Sequence, residues 1–441
     1  MKKRPSIPSL ILPALLCGLV LSGCTTFHKR SASATEDNSF ITYWPGSGND
    51  GQLRLAVKDL IDMKGVVTTA GSEFLAKNSP PAVRDAKCLA IARRRNVQIV
   101  GKTNTSELAV AASGINVYFG TPENPVTRKR NLIPGGSSSG SAVVVATGQA
   151  DIAFGTDTAG SIRVPAACCG VAGLKTTHGL VPLDGVYPIA PSELDTVGPI
   201  ARDVAGLVQG MDLLENGFAG KYRVATRGSG AGKKVGRLYV TGTDPKVDRA
   251  VDESLERAGF TIVRMSPAFK AKWEQAEKDA KTMAAASAWV YYQKFKNEPQ
   301  VASRTKLVIA VGEVEYNTNY REALERRLAW RSNLREALTE VDFIALPTLQ
   351  NLPPQAPLFG GTVAFEGKVL SLQNTEAVNL AGNPALAVPI PLDDKKVPVT
   401  SLQLIGRWRG EAALLNAGRL VEEANGKALI AASQRSRTAR R

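Results

Sequence analysis

Two serine-bearing turns and one lysine hold most of the chemistry this chain can do. Gly135-Gly136-Ser137-Ser138-Ser139-Gly140-Ser141 and Asp157-Thr158-Ala159-Gly160-Ser161-Ile162-Arg163 set hydroxyls into glycine turns, where backbone N–H groups can converge on one point. Upstream, Leu55-Ala56-Val57 is an apolar run that ends at Lys58. A serine hydroxyl is a weak nucleophile at neutral pH and needs an adjacent base. The chain has only two histidines, His28 and His178, so a Ser-His-Asp relay is hard to staff. A Ser-Ser-Lys relay from Lys58, Ser137 and Ser161 is not. Histidine and cysteine spacing supplies no metal-ligand set, so neither metal nor cofactor is expected.

The trio resembles the amidase signature family. In that family a lysine follows an apolar strand, a first serine follows a Gly-Gly pair, and a second serine closes an aspartate- and glycine-containing turn. Ser137 and Ser161 are 24 positions apart, the family's usual spacing. Further motifs stand in family order: Gly101-Lys102-Thr103-Asn104, Asn124-Pro125, Leu174-Lys175-Thr176, Asp195-Thr196-Val197-Gly198-Pro199, Ala345-Leu346-Pro347-Thr348, Gly382-Asn383-Pro384-Ala385 and Leu402-Gln403-Leu404-Ile405-Gly406. The resemblance covers roughly residues 50 to 425, and is weak from about 206 to 340.

The resemblance implies a mechanism. Ser161 is the nucleophile, Ser137 takes its proton, and neutral Lys58 takes the proton from Ser137. Lysine can act so only where burial disfavours its ammonium form. The backbone N–H groups of Thr158, Ala159, Gly160 and Ser161 supply the oxyanion hole. Gly136, Ser138, Asp157 and Arg163 are supporting residues, with a cis peptide between Gly136 and Ser137. Two positions depart from the family pattern. Ala159 stands where glycine is usual and restricts positive φ, which would reshape the hole. Ser139 also replaces a glycine; Ser138 and Ser139 are expected to support the relay by hydrogen bonds. The chain also lacks the family's helical segment before Lys58, which implies an open approach to the site. Asp195 and Thr196 read as structural or pocket-edge residues, and His178 as structural.

The elements that must position these groups follow from apolar runs and turn residues. Residues 50 to 204 alternate short apolar runs with helical stretches, the pattern of an α/β sheet with covering helices. A helix is expected over 85–95, a strand over 97–100, a helix over 141–147 and a strand over 151–154. A β-α-β piece follows, with strands at 238–240 and 261–265 around a helix at 247–258. Helices are expected at about 271–296 and 320–338, and strands at 343–346, 385–389 and 402–405. Trp273, Met283, Trp289, Tyr291 and Tyr292 read as packing. The fold class implied is one α/β/α domain on a central mixed sheet over 46–430, the weakly matching middle covering the site.

The N-terminus reads as a processing segment. Lys2, Lys3 and Arg4 precede a short apolar stretch from Ile7 to Leu21 that ends in Leu21-Ser22-Gly23-Cys24. This is the pattern of a signal peptide, and its end resembles a bacterial lipobox. Residues 1–23 would be removed and Cys24 acylated, with residues 24–45 as a polar tether. The expected address is the cell envelope, facing the periplasm, at the outer membrane in preference to the inner because Thr25 is not an aspartate. The formal charge is +15, but the basic residues are scattered, which argues against a nucleic-acid partner. Arg435, Arg437, Arg440 and Arg441 read as a basic disordered tail over 431–441. Once Cys17 is removed and Cys24 acylated, Cys88, Cys168 and Cys169 read as buried small hydrophobes, with one pairing to Cys88 left open.

These readings converge on a serine amidohydrolase that turns a small-molecule or peptide carboxamide into a carboxylate and ammonia or an amine. Two alternatives remain at this point: the amidase subunit of a tRNA-linked transamidase, and a catalytically silent binding lipoprotein. The lipobox argues against the first and the complete trio against the second. Oligomeric state is not legible.

Overall fold

The computed structural model describes residues 34–45, 51–126, 131–227, 232–357 and 362–438. Eleven strands form one sheet: β1 (Phe40–Tyr43), β2 (Arg54–Lys58), β3 (Gln98–Thr103), β4 (Ile152–Asp157), β5 (Ala172–Lys175), β6 (Thr196–Ala201), β7 (Lys234–Arg237), β8 (Thr261–Arg264), β9 (Phe343–Pro347), β10 (Ala385–Pro391) and β11 (Val399–Ile405). Their order across the sheet is β1-β3-β2-β4-β6-β5-β10-β11-β9-β7-β8. β2 runs parallel to both β3 and β4, and β7 runs parallel to β8 and β9; the other pairings are antiparallel.

Successive strand residues face opposite sides, and residue size sorts by side. Leu55, Val57, Ile152, Phe154, Leu386 and Val388 join one cluster with residues of the helices Val204–Leu214, Pro245–Arg257 and Glu411–Thr438. Ala56, Ala153 and Ala387 face the other way, against the helices Ser139–Ala146 and Arg163–Cys169. Small residues on this side let the two serine-bearing segments lie close to the sheet. At Gly155 the tolerance is nil, since a Cβ there would sit 2.9 Å from Ser138 Oγ.

The middle of the chain builds the wall over the site. The helix Pro267–Tyr292 packs along Ser303–Thr318 and Tyr320–Glu340. Trp273, Met283 and Tyr292 are buried there, as packing residues should be; Trp289 is partly buried and Tyr291 is exposed.

Several expectations need correction. The tether is shorter than 24–45: Phe40–Tyr43 pairs with β3 at the sheet edge, and Phe40 is buried. Four residues of β-branched and aromatic character suffice for an edge strand, although polar residues surround them. The tail is not disordered from 431, because the last helix runs on to Thr438. Ala428, Leu429, Ala431 and Ala432 are good helix formers that carry the helix into the charged end. The strand expected at 238–240 lies at Lys234–Arg237, with the Leu238 N–H still donating to Ala345 O at 2.9 Å. The helix Ser303–Thr318 was not foreseen. Leu307, Val311 and Val314 are exposed on it, and it packs through Gly312, where a Cβ would lie 2.2 Å from Ala285 O. Arg304, Thr305 and Ile309 are buried with Gly312, so the inward face carries mostly polar and small residues and gives a weak apolar stripe.

Candidate active site

Three parallel strands end together: β2 at Lys58, β3 at Thr103 and β4 at Asp157. The carboxyl ends of parallel strands are where α/β sheets gather functional groups. Lys58 is fully buried, with Nζ 2.7 Å from Ser137 Oγ and 2.8 Å from Thr156 Oγ1. Both partners are neutral hydroxyls, and no carboxylate pairs with Lys58 among the described residues. Burial therefore dominates and brings its pKa down to about 7, against smaller opposing pulls from Asp157 and Asp195. Such an amine is substantially unprotonated at neutral pH and can accept a proton from Ser137.

Ser137 follows Gly136 through a cis peptide bond, as the resemblance implied. Gly135, one residue earlier, has φ +73°, and a Cβ there would meet Cys168 Sγ at 2.8 Å. The neighbouring Ser138 N–H donates to Ser161 O at 3.2 Å and its hydroxyl donates to Thr156 O at 3.3 Å, so Ser138 ties the two serine segments to β4. Ser139 does not share this role. Its buried Oγ, at the first residue of the helix Ser139–Ala146, has no partner among the described residues.

The turn carrying Ser161 is built around Asp157. This carboxylate accepts from Gly160 N (2.8 Å), Ile162 N (3.2 Å), Arg163 Nε and Nη2 (3.0 and 2.9 Å) and Asn379 Nδ2 (2.9 Å). Burial alone would raise its pKa, but Arg163 and these donors hold it well below the usual carboxylate range. Arg163, fully buried, also donates to Thr375 O and Gln403 Oε1. The Thr158 hydroxyl donates to Asp195 Oδ1 at 2.6 Å, and Asp195 in turn accepts the Ile189 and Ala190 N–H groups.

This bracing changes the expected oxyanion hole. Gly160 N–H is committed to Asp157, so it is not a free donor. The N–H groups of Thr158, Ala159 and Ser161 take no acceptor among the described residues. Positive φ falls on Gly160, at +131°, and not on Ala159. Alanine therefore replaces glycine at 159 without backbone strain.

A cleft of about 120 Å³ opens over Gly136, Thr158, Ala159 and Ser161. Its walls are mostly small and apolar, including Ala111, Ala284, Ala285, Ala288 and Val308. The charged residues on its lining are Lys281 and Glu376, with Lys281 Nζ 3.7 Å from Glu376 Oε1. Glu277, one turn before Lys281, also lies against Glu376. Burial, and then the Glu376 charge, push the Glu277 carboxyl well above the usual carboxyl range.

The family model for amidases matches residues 53–415. The chain belongs to the amidase family. A glutamyl-tRNA(Gln) amidotransferase subunit of Halobacterium salinarum is 32% identical, over 88% of this chain and 99% of its own. A 2-amino-5-chloromuconic acid deaminase of Comamonas testosteroni is 32% identical, over 92% and 88%. A solved amidase structure, 28% identical, superposes with a TM-score of 0.72 over 85% of each chain. Membership makes this protein an amide-hydrolysing enzyme built on the amidase signature fold.

Within this amidase, the structure brings Lys58, Ser137 and the Thr158–Ser161 turn to the carboxyl ends of β2 and β4, with Gly136, Ser138, Asp157 and Arg163 around them. Sequence reasoning missed Thr156, the second partner of Lys58, and the brace from Thr375, Asn379 and Gln403. Thr375 and Asn379 lie far along the chain in a stretch without local catalytic character, and Thr156 and Gln403 are strand residues whose partners only the fold supplies. The Glu277–Lys281–Glu376 group was also missed; the i, i+4 pair on a helix reads as an ordinary surface pair. Cys24 lies outside the described residues. Cys88, Cys168 and Cys169 are free and buried. Burial pushes the Cys88 and Cys168 thiols up to about 12, which makes them inert. His178, half-buried, contacts Pro191 O through Nε2 at 3.1 Å. No group of His, Cys, Asp and Glu that could hold a metal occurs among the described residues.

Proposed function

We propose that this amidase hydrolyses compact carboxamides through an acyl-enzyme on Ser161. Ser161 Oγ attacks the amide carbon while its proton passes to Ser137, whose own proton passes to neutral Lys58. The carbonyl oxygen, now negative, is held by the N–H groups of Thr158, Ala159 and Ser161, preorganised before charge develops. The C–N bond breaks as the proton returns along the same path to the leaving nitrogen, releasing ammonia or an amine. Water then adds to the ester, losing its proton to the relay, and the carboxylate leaves. The carrying observation is Lys58: fully buried, 2.7 Å from Ser137 Oγ, without a carboxylate partner, its pKa lowered to about 7.

The alanine-lined cleft favours small aliphatic or flat aryl acyl groups, and Lys281 leaves room for a polar substituent at the rim. The leader supports a membrane-tethered enzyme, acylated at Cys24 and facing the periplasm. No described helix is long and apolar enough to cross a membrane. The similarity to an amidotransferase subunit gives a second reading, as a cytoplasmic glutamine amidase.

The test is release of ammonia or amine from a panel of aryl, alkyl and peptide amides plus free glutamine, with cell fractionation alongside. Turnover of small amides by a membrane-fraction protein supports the proposal. Turnover of glutamine alone, by a soluble protein, supports the second reading. A folded protein inert on the whole panel would leave a silent binding protein.

A further inference from the structure

A second and larger cavity, of about 660 Å³, lies at the other end of the short helix Glu376–Ala381. Glu376 lines the catalytic cleft, whereas Ala381 lines this cavity, between the helix Tyr320–Glu340 and the turn after β11. Its volume falls in the range of about 300–1,000 Å³ typical of small-molecule sites.

The lining is unusual in charge. Arg331, Arg335 and Arg407 face it, and no Asp or Glu does. None of the three makes a salt bridge among the described residues. Arg407 is fixed by donating from Nε to Leu338 O (2.8 Å), Arg335 reaches only Ser332 Oγ (3.4 Å), and Arg331 lies 5.2 Å from the centre of the Trp408 ring. Arginine stays charged in any protein environment. Three unpaired guanidinium groups around one concavity repel one another and attract a multiply charged anion. His178 has its pKa lowered by burial first, against a raising hydrogen bond to Pro191 O, with smaller lowering from Lys175, Arg327 and Arg331.

The same lining offers an apolar surface. Leu328 is 69% exposed and Trp408 43% exposed, both at the cavity. Trp408 is held in place by its turn. Arg409 adopts φ +56° and donates its N–H to Thr177 Oγ1 (3.0 Å), and Gly410 N–H closes on Arg407 O (2.9 Å). The half-exposed ring offers a flat apolar face beside the guanidinium groups, which the apolar body of a ligand can cover.

We propose that this cavity binds a phosphate-class anion bearing an apolar body, the phosphate on Arg331, Arg335 and Arg407 and the body on Trp408 and Leu328. A free organic phosphate and an anionic phospholipid share that chemistry. Phenyl phosphate binding by calorimetry and co-sedimentation with phosphatidylglycerol or phosphatidylcholine vesicles distinguish the two. The full chain carrying Cys24→Ser removes acylation from the comparison. Arg331→Gln/Arg335→Gln is the variant, because both side chains project from a surface helix and leave the core intact. Phenyl phosphate binding weakened at least tenfold in the variant supports a soluble ligand. Phosphatidylglycerol-selective binding lost in the variant, without phenyl phosphate binding, supports a lipid. Binding of neither probe, or binding unchanged in the variant while hydrolysis of an amide is unchanged in both proteins, overturns the proposal.

Discussion

Arg163 Nη2 lies 2.9 Å from Asp157 Oδ1, with both side chains fully buried, and the turn between them carries Ser161. The pair thus sets the shape of the turn from which the hydroxyl must act. Removing one member of a buried pair leaves an uncompensated charge and costs about 3–5 kcal/mol. Arg163→Met should lower thermal stability accordingly and abolish activity even in the folded fraction. Arg163→Lys should rescue little, since one ammonium cannot satisfy Asp157, Asn379, Thr375 and Gln403 together. Thermal denaturation and activity per folded molecule measure both effects.

Lys58 predicts a pH–rate profile. With its pKa near 7, acylation should rise through pH 7 and level off above pH 8 as the amine becomes neutral. Lys58→Met should lose about 10²–10⁴-fold in kcat/KM and the inflection with it.

The same lysine predicts a stability slope. Its folded pKa lies below the unfolded value, so between pH 7 and about 10.5 the unfolded chain binds more protons, and stability rises with pH. Lys175, also buried and lowered to about 7, acts in the same window. Denaturant unfolding of Lys58→Met should show a slope shallower than that of the parent by about 1.4 kcal/mol per pH unit in that window. Glu277 has the opposite sign. Its folded pKa is raised, so its contribution is present at low pH and is lost as pH rises. Glu277→Gln should therefore unfold with a steeper rise of stability with pH than the parent.

Glycine is needed at 160 and not at 159. Gly160→Ala would force φ +131° on alanine and set a Cβ 2.2 Å from Thr375 Oγ1. It should destabilise the fold by about 1–3 kcal/mol and lose most activity. Ala159→Gly should stay within about threefold of the parent in kcat/KM, since φ at 159 is ordinary. Steady-state kinetics on both variants checks this contrast.

Much of this was legible in the sequence, and the exceptions are instructive. Lys58, Ser137 and Ser161 stand in turns and strand ends whose local chemistry is distinctive. β3, β4, β8, β9, β10 and β11 were legible because they are short apolar runs, whereas β5 (Ala172–Lys175) and β6 (Thr196–Ala201), broken by glycine and, in β6, by proline, were not expected. Gly160 could not be separated from the other oxyanion donors, because its N–H is diverted by a carboxylate whose orientation is set by Arg163 and Asn379. Thr156 looked like any strand residue until β4 was laid beside β2. The helix Ser303–Thr318 exposes Leu307, Val311 and Val314 and buries Arg304, Thr305 and Gly312 beside Ile309, so its apolar periodicity does not mark the buried face. The β1 strand hid inside a polar segment because pairing with β3, far along the chain, is what orders it.

The central claim is that Ser161 is an activated nucleophile. The most direct test is the intact mass of the purified protein after exposure to a fluorophosphonate probe, beside Ser161→Ala. One adduct on the parent and none on the variant is the expected result. An adduct that persists in Ser161→Ala, or none on a folded parent, would contradict the claim.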